Sequence, residues 1–195
     1  MNNVLNIKIK FEDVLVRMGA NKYRTKINSN IEEIILEAID IAQKILKPKY
    51  ATSIAVKKID GSKIVLDNFI IYSKDIFNLL KNSQKVLGIV ATVGDAIDQK
   101  VLALHDEGKT LASYIYDSIG SVAVEELINN ICNEIKKTNV TTFRFSPGYG
   151  DWHISNQKEF LKWLAADKIG VKLSGSFQMT PRKTVSAILG ITPKV

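Results

Sequence analysis

Residues 50–72 read YATSIAVKKIDGSKIVLDNFIIY, two runs rich in β-branched and aromatic residues on either side of Asp60-Gly61. Asp-Gly between such runs is a strong hairpin signal, because the tight turn needs positive φ and glycine adopts it freely. The stretch predicts a strand over 50–59 and a second over 63–72. Strands joined by hairpins, in a chain that also carries long helical patterns, point to the α+β class and away from a βαβ array.

Toward the N-terminus, residues 4–11, VLNIKIKF, alternate as a strand does. Ser29 and Glu32 form an S-x-x-E capping box. Ile31, Ile34, Ile35, Ala38, Ile39, Ala42, Ile45 and Leu46 then recur at helical spacing until Pro48 stops them. Toward the C-terminus, a short helix is predicted over Lys74 to Leu80, and VLGIVATV at 86–93 reads as a strand buried on both faces. Gly94 ends that run, and Asp95 can cap a helix reaching about His105.

The longest helix is predicted over 110–137, where Leu111, Ile115, Ile119, Val122, Leu127, Ile131 and Ile135 drift around the axis, so several faces must be covered. Gly120 costs it about 1 kcal/mol relative to alanine. Residues 141–155 are the least regular. Ser155 can cap a helix over 156–168 that Gly170 stops, and 171–191 read as short strands around a turn at Thr180-Pro181. No repeat, low-complexity segment or linker divides the chain. The expectation is a single domain over residues 1–195, with a twisted, mainly antiparallel sheet and packed helices.

A chain of 195 residues can bury a core without covalent staples. The net charge of +7 is carried mostly by scattered lysines, the longest runs being Lys57-Lys58 and Lys136-Lys137. With no arginine-and-aromatic cluster, this argues against nucleic acid and leaves a solvated surface or an acidic protein partner. The single cysteine, Cys132, excludes an internal disulfide. With only His105 and His153 beside it, no Cys/His metal site is expected. No apolar run approaches the roughly 18 residues of a membrane span, and the N-terminus lacks the apolar core of a signal peptide. A cytoplasmic protein is expected.

The chemistry points to residues 144–151, Arg-Phe-Ser-Pro-Gly-Tyr-Gly-Asp. Pro147 fixes φ and offers no N–H, while Gly148 and Gly150 allow conformations closed to other residues. Such a loop can expose backbone groups to a ligand. Arg144 can grip a carboxylate through parallel hydrogen bonds, and Tyr149 offers a flat apolar wall with a polar tip. Taken alone, the segment fits a structural turn as well as a binding loop.

RFSPGYGD resembles the R-x-x-P-G-Y signature of the activation domain of cobalamin-dependent methionine synthase. Three further stretches resemble that family in order and spacing: AVEELINNICNEIKK at 123–137, the 156–168 helix with Gly170-Val171-Lys172-Leu173, and Ser176-Phe177-Gln178-Met179-Thr180-Pro181 followed by Val185-Ser186. Together they cover roughly residues 120–190.

The resemblance implies a pocket for S-adenosylmethionine. Arg144 corresponds to the arginine at the ligand carboxylate, Ser146, Pro147 and Gly148 to the loop backbone beside it, and Tyr149 to the tyrosine against it. Glu125 corresponds to the acid near the ligand's cationic end, with Glu126 one residue away. Met179 fits either a corrin-facing residue or core packing, as Trp152 and Trp163 fit either stacking or burial. The start of the helix after Gly94-Asp95 carries no phosphate-binding signature. Cys132 reads as a small buried hydrophobe, Thr184 and Ser186 as strand residues, and neither histidine has triad-like company.

The implied role is accessory. The protein would bind S-adenosylmethionine and support reductive methylation of the cobalamin of a separate methionine synthase or related corrinoid protein, within a methionine-forming methyltransferase system. A flavodoxin or ferredoxin would donate the electron. The alternatives are a non-catalytic S-adenosylmethionine sensor, a scaffold that has lost reactivation, or an unrelated enzyme sharing the loop. Three departures stand out. Gly150-Asp151-Trp152 replaces the family's proline-rich stretch, no acid in residues 1–30 clearly matches the family's N-terminal one, and no tyrosine follows the Val-Ser strand.

Overall fold

The structure, a computed structural model, describes residues 6–20, 28–67 and 69–194. Its elements follow the order α1 (Phe11–Arg17), α2 (Ser29–Ile45), β1 (Lys49–Val56), β2 (Lys58–Asp60), β3 (Lys63–Leu66), β4 (Phe69–Ile71), α3 (Lys74–Leu80) and β5 (Lys85–Thr92). Then come α4 (Ala96–Asp106), α5 (Thr110–Lys136), β6 (Asn139–Thr141), α6 (Gln157–Trp163), β7 (Lys172–Leu173), β8 (Met179–Thr180) and β9 (Thr184–Pro193).

A four-stranded sheet in the order β1-β5-β9-β6 runs through the middle, every pair antiparallel. Leu87, Ile89 and Ala91 of β5 pack on a helical layer that includes Ile35, Ile39, Ile119 and Ile128. Val86 and Val90 alternate with them and join Ile64, Leu66, Phe69, Ile71, Trp152 and Phe160 on the opposite face. Both faces of the strand are therefore dry, which is why its sequence is a continuous apolar run. Each isoleucine or leucine so buried contributes about 1.5–3 kcal/mol. The architecture is α+β.

The Asp60-Gly61 turn is present, with Asp60 opposite Lys63 and Gly61 at φ +58°. The two flanking strands, however, are each divided. Residues 49–56 pair with β5, and the chain after Leu66 turns back at Asp67, φ +46°, so that β2, β3 and β4 make a separate three-stranded sheet. An isolated long ribbon would leave much of its apolar surface wet. Division gives one half to the central sheet and the other to the second core.

Residues 6–10 form no strand, and a helix begins at Phe11; residues 4 and 5 lie outside the described residues. The alternation still has a cause, since Ile9 is buried and Ile7 packs on the helical core, but among the described residues no strand pairs with it. The cap of α2 is Asn28 rather than Ser29: its side chain accepts from the Asn30 amide at 3.0 Å. The helix expected over 156–168 is divided at Ala165, φ +50°, and its entry is capped by His153, whose side chain accepts from the Ser155 amide. Gly170 ends this region at φ +85°, as expected. Beyond the Thr180-Pro181 turn, the anticipated short strand is the ten-residue β9, a central strand paired with β5 from Thr184 to Ile191.

Gly120 has a specific reason to sit inside α5. A Cβ there would meet Cγ of Lys183 at 3.0 Å and Cε at 3.1 Å. Lys183 is only 8% exposed, and its Nζ donates to Asp117 Oδ1 at 2.8 Å and Ser121 Oγ at 2.9 Å. The glycine makes room for a lysine that ties β9 to α5.

Candidate ligand-binding groove

The chain from Arg144 to Trp152 leaves the sheet edge and forms one wall of a groove. Phe145 exchanges two backbone hydrogen bonds with Ile188 of β9, at 2.9 and 2.7 Å. Ser146 Oγ then donates to the Ser186 carbonyl at 2.7 Å, while Ser186 Oγ accepts from Nε2 of buried Gln157 at 2.7 Å. The loop closes on itself through Gly148 N to Trp152 O at 2.7 Å and Trp152 N to Tyr149 O at 3.0 Å. Gly148 at φ +97° and Gly150 at φ +51° permit that shape. The Trp152 ring is fully buried and meets Phe160 edge-on, centroids 5.3 Å apart. Tyr149, at the tip, is 68% exposed.

The facing wall is α5. Glu125 Oε2 accepts from Arg144 Nη2 at 3.4 Å, so the two candidates of opposite charge meet. Among the described residues, Nη1 of Arg144 is buried with no protein partner. Native structures seldom leave a buried donor unpaired, and an exception calls for an explanation.

Two cavities adjoin Glu125. One of about 240 Å³ is lined by Glu125, Arg144, Phe145, Ser146, Tyr149, Val185 and Ala187. The other, about 590 Å³, is lined by residues including Asp13, Arg17, Ser121, Glu126, Asn129, Arg182 and Lys183, and it shares Glu125 and Val185 with the first. Glu125 thus stands where the two meet, and Glu126 borders only the larger. A cation, a carboxylate and an aromatic ring within one small cavity suit a ligand carrying charges of both signs.

The structure brings Glu125, Arg144, Ser146 and Tyr149 to one cavity, with Pro147 and Gly148 shaping the loop between them. Met179 lines neither cavity: it pairs with Leu173, and its Sδ lies 3.2 Å from Nε2 of Gln157. Trp152 and Trp163 belong to the second core, and Trp163 Nε1 donates to Asp67 at 3.3 Å. Thr184 Oγ1 donates to the Pro181 carbonyl at 2.7 Å. Cys132 is buried, its thiol pushed upward by desolvation. Among the described residues no group of three or more His, Cys, Asp or Glu side chains is placed to hold a metal ion, and no helix is long and apolar enough to cross a membrane.

Asp13 escapes the sequence reading. It lies on α1, and the docking of α1 against α5 brings it to the wall of the larger cavity. The only hint in the sequence is the Glu12-Asp13 pair in the first turn of a helix that the alternation of 4–11 obscures.

No family model matches the sequence, and no curated protein matches it. Among solved structures, the crystal structure of the MetH reactivation domain bound to AdoHcy superposes with a TM-score of 0.69 at 14% sequence identity. The match covers 98% of this chain and 76% of that one. The chain has the reactivation-domain fold, the fold that its sequence resemblance implies.

Proposed function

We propose that the groove binds S-adenosylmethionine and that the protein presents it to the cobalamin of a separate methionine synthase or related corrinoid protein. The observation that carries this reading is Arg144 facing Glu125 at 3.4 Å in a cavity shared with Tyr149, on a fold that in another protein holds AdoHcy. The guanidinium grips the ligand carboxylate, and its unpartnered Nη1 is the donor left for that task. Glu125 receives the ammonium. The Tyr149 ring favours the sulfonium by cation–π attraction, on the order of 0.5–2 kcal/mol.

Ligand pockets commonly run from about 300 to 1,000 Å³. The smaller cavity, about 240 Å³, takes the amino-acid end, and the rest of the ligand extends past Glu125 into the larger, about 590 Å³. Asp13, on that wall, is the candidate for the acid that the family carries near its N-terminus. The partner's corrinoid supplies the methyl acceptor once a flavodoxin or ferredoxin has reduced it. This chain's residues bind and orient the donor, which turns a rare encounter into a held geometry; no general base is required.

Isothermal titration with S-adenosylmethionine tests the reading. Saturable binding is expected, weakened in Arg144→Ala by about 1.5–3 kcal/mol, the worth of a charged hydrogen bond. Absence of binding to the wild type, alone or with a corrinoid protein, sinks the proposal. Binding without methylation of any corrinoid partner would make the protein a sensor.

A further inference from the structure

Asp151 ends the loop and reaches the start of α3. Its Oδ1 accepts from Ser73 Oγ and from the Asp75 amide at 3.2 Å, and its Oδ2 accepts from the Lys74 amide at 2.7 Å. In return, Asp75 Oδ2 accepts from the Asp151 amide at 3.1 Å. Helix caps normally come from the residue just before the helix. Here Ser73 does that, accepting from the Ile76 amide at 3.0 Å, and a second cap arrives from a loop distant in sequence. The approach is close enough that a Cβ on Gly150 would overlap Asp75 Oδ2. The hydroxyl of Ser73, foremost, and the amides of Lys74 and Asp75 hold the Asp151 carboxyl below the usual range.

Among the described residues, the hydrogen bonds that tie Pro147–Trp152 to elements outside the loop all involve Asp151. We infer that Asp151 is a positioning residue: by clamping the loop to α3 it fixes the shape of Ser146–Tyr149 and so sets the affinity of the groove for its ligand. The inference rests on the reading of the groove as an S-adenosylmethionine site. Asp151 itself lines neither cavity, so it acts through the loop.

Three variants test it by titration with S-adenosylmethionine at 25 °C, beside far-ultraviolet circular dichroism, thermal melting and amide hydrogen exchange. Asp151→Ala is expected to weaken binding about tenfold, as loss of a cap and its partners implies, with wild-type circular dichroism. Asp151→Asn, which keeps an acceptor oxygen, is expected to fall between. Ile39→Val trims the helical core, away from the loop; it should lower the melting temperature and leave affinity unchanged. The amides of Gly148 and Trp152 should exchange faster in Asp151→Ala.

Folded Asp151→Ala that binds within twofold of wild type overturns the proposal, as does an Ile39→Val variant that loses affinity in step with its melting temperature. If the wild type binds no ligand, the reading of the groove fails by itself and exchange then decides the clamp. Unchanged exchange at Gly148 and Trp152 overturns it, and faster exchange supports it.

Discussion

On one side of the groove, Glu125 stands on a 27-residue helix whose buried side chains include Ile115, Ile119, Ala123, Val124, Leu127, Ile128 and Ile131. On the other, Tyr149 stands on a loop with neither strand nor helix, held by one buried indole, the Ser146–Ser186 bond and the Asp151 clamp. The helical wall shares its position among many apolar contacts, so one lost contact is a small part of the whole. The loop wall rests on a few, so each is critical. A site assembled this way keeps its acid on a fixed support and its aromatic on one that a few bonds set.

The largest expected effect lies on the loop side. Trp152→Ala empties a fully buried site against Phe160, and deletion of a buried tryptophan side chain costs about 3–5 kcal/mol. Urea denaturation would measure it, and a loss under about 0.5 kcal/mol, inside the range of surface changes, would break the comparison.

How much of this was readable without the structure depended on distance along the chain. The limits of α3 are written in a short local pattern, and β5 declares its two-sided burial by apolar residues at successive positions. Arg144, Ser146 and Tyr149 share one compact motif, and the motif together with its family resemblance points to Glu125. Other features need tertiary knowledge. Gly120 is visibly costly to a helix, but its justification is Lys183, which reaches it only when β9 lies along α5. Asp13 comes to the groove through the docking of α1. Asp151 is visible as a departure from the family, yet its partner helix lies far upstream, where no cap is sought. The hairpin at Asp60-Gly61 is legible as a turn; which sheet each flanking strand joins is decided by where apolar surface can be covered.

A smaller effect is expected on the helical side. Lys183→Met removes the charge that Asp117 and Ser121 hold while filling similar space beside Gly120. Removing one partner of a fully buried pair costs about 3–5 kcal/mol, but an apolar replacement of similar volume is often tolerated. The Asp117 side chain is 32% exposed and retains Arg182 at 4.0 Å, so the loss should be about 1–2 kcal/mol, discounted for solvent screening. Chemical denaturation would give the number. A cost as large as that of Trp152→Ala would mean that the helical wall, too, depends on a single tie.

The smallest effect is expected from acid, and it should touch the two walls unequally. The carboxyl of Asp151 is lowered from its ordinary 3.8 by the Ser73 hydroxyl first and by the neighbouring amides next. A group depressed in the folded state contributes stability that is fully present above its unfolded pKa and is lost as pH falls through the folded one. The clamp should therefore hold at neutral pH and weaken only below about pH 4, the unfolded value for aspartate. Trp152, anchored next to it, is the natural reporter once Trp163→Phe removes the other indole. Its fluorescence should titrate below that point in a protein whose far-ultraviolet dichroism is still native. The titration should shrink in a Trp163→Phe, Asp151→Asn double variant, which has no carboxyl at position 151 to protonate. The same curve with and without Asp151 would place the acid sensitivity elsewhere and leave the loop no more dependent on its clamp than α5 is on any one side chain.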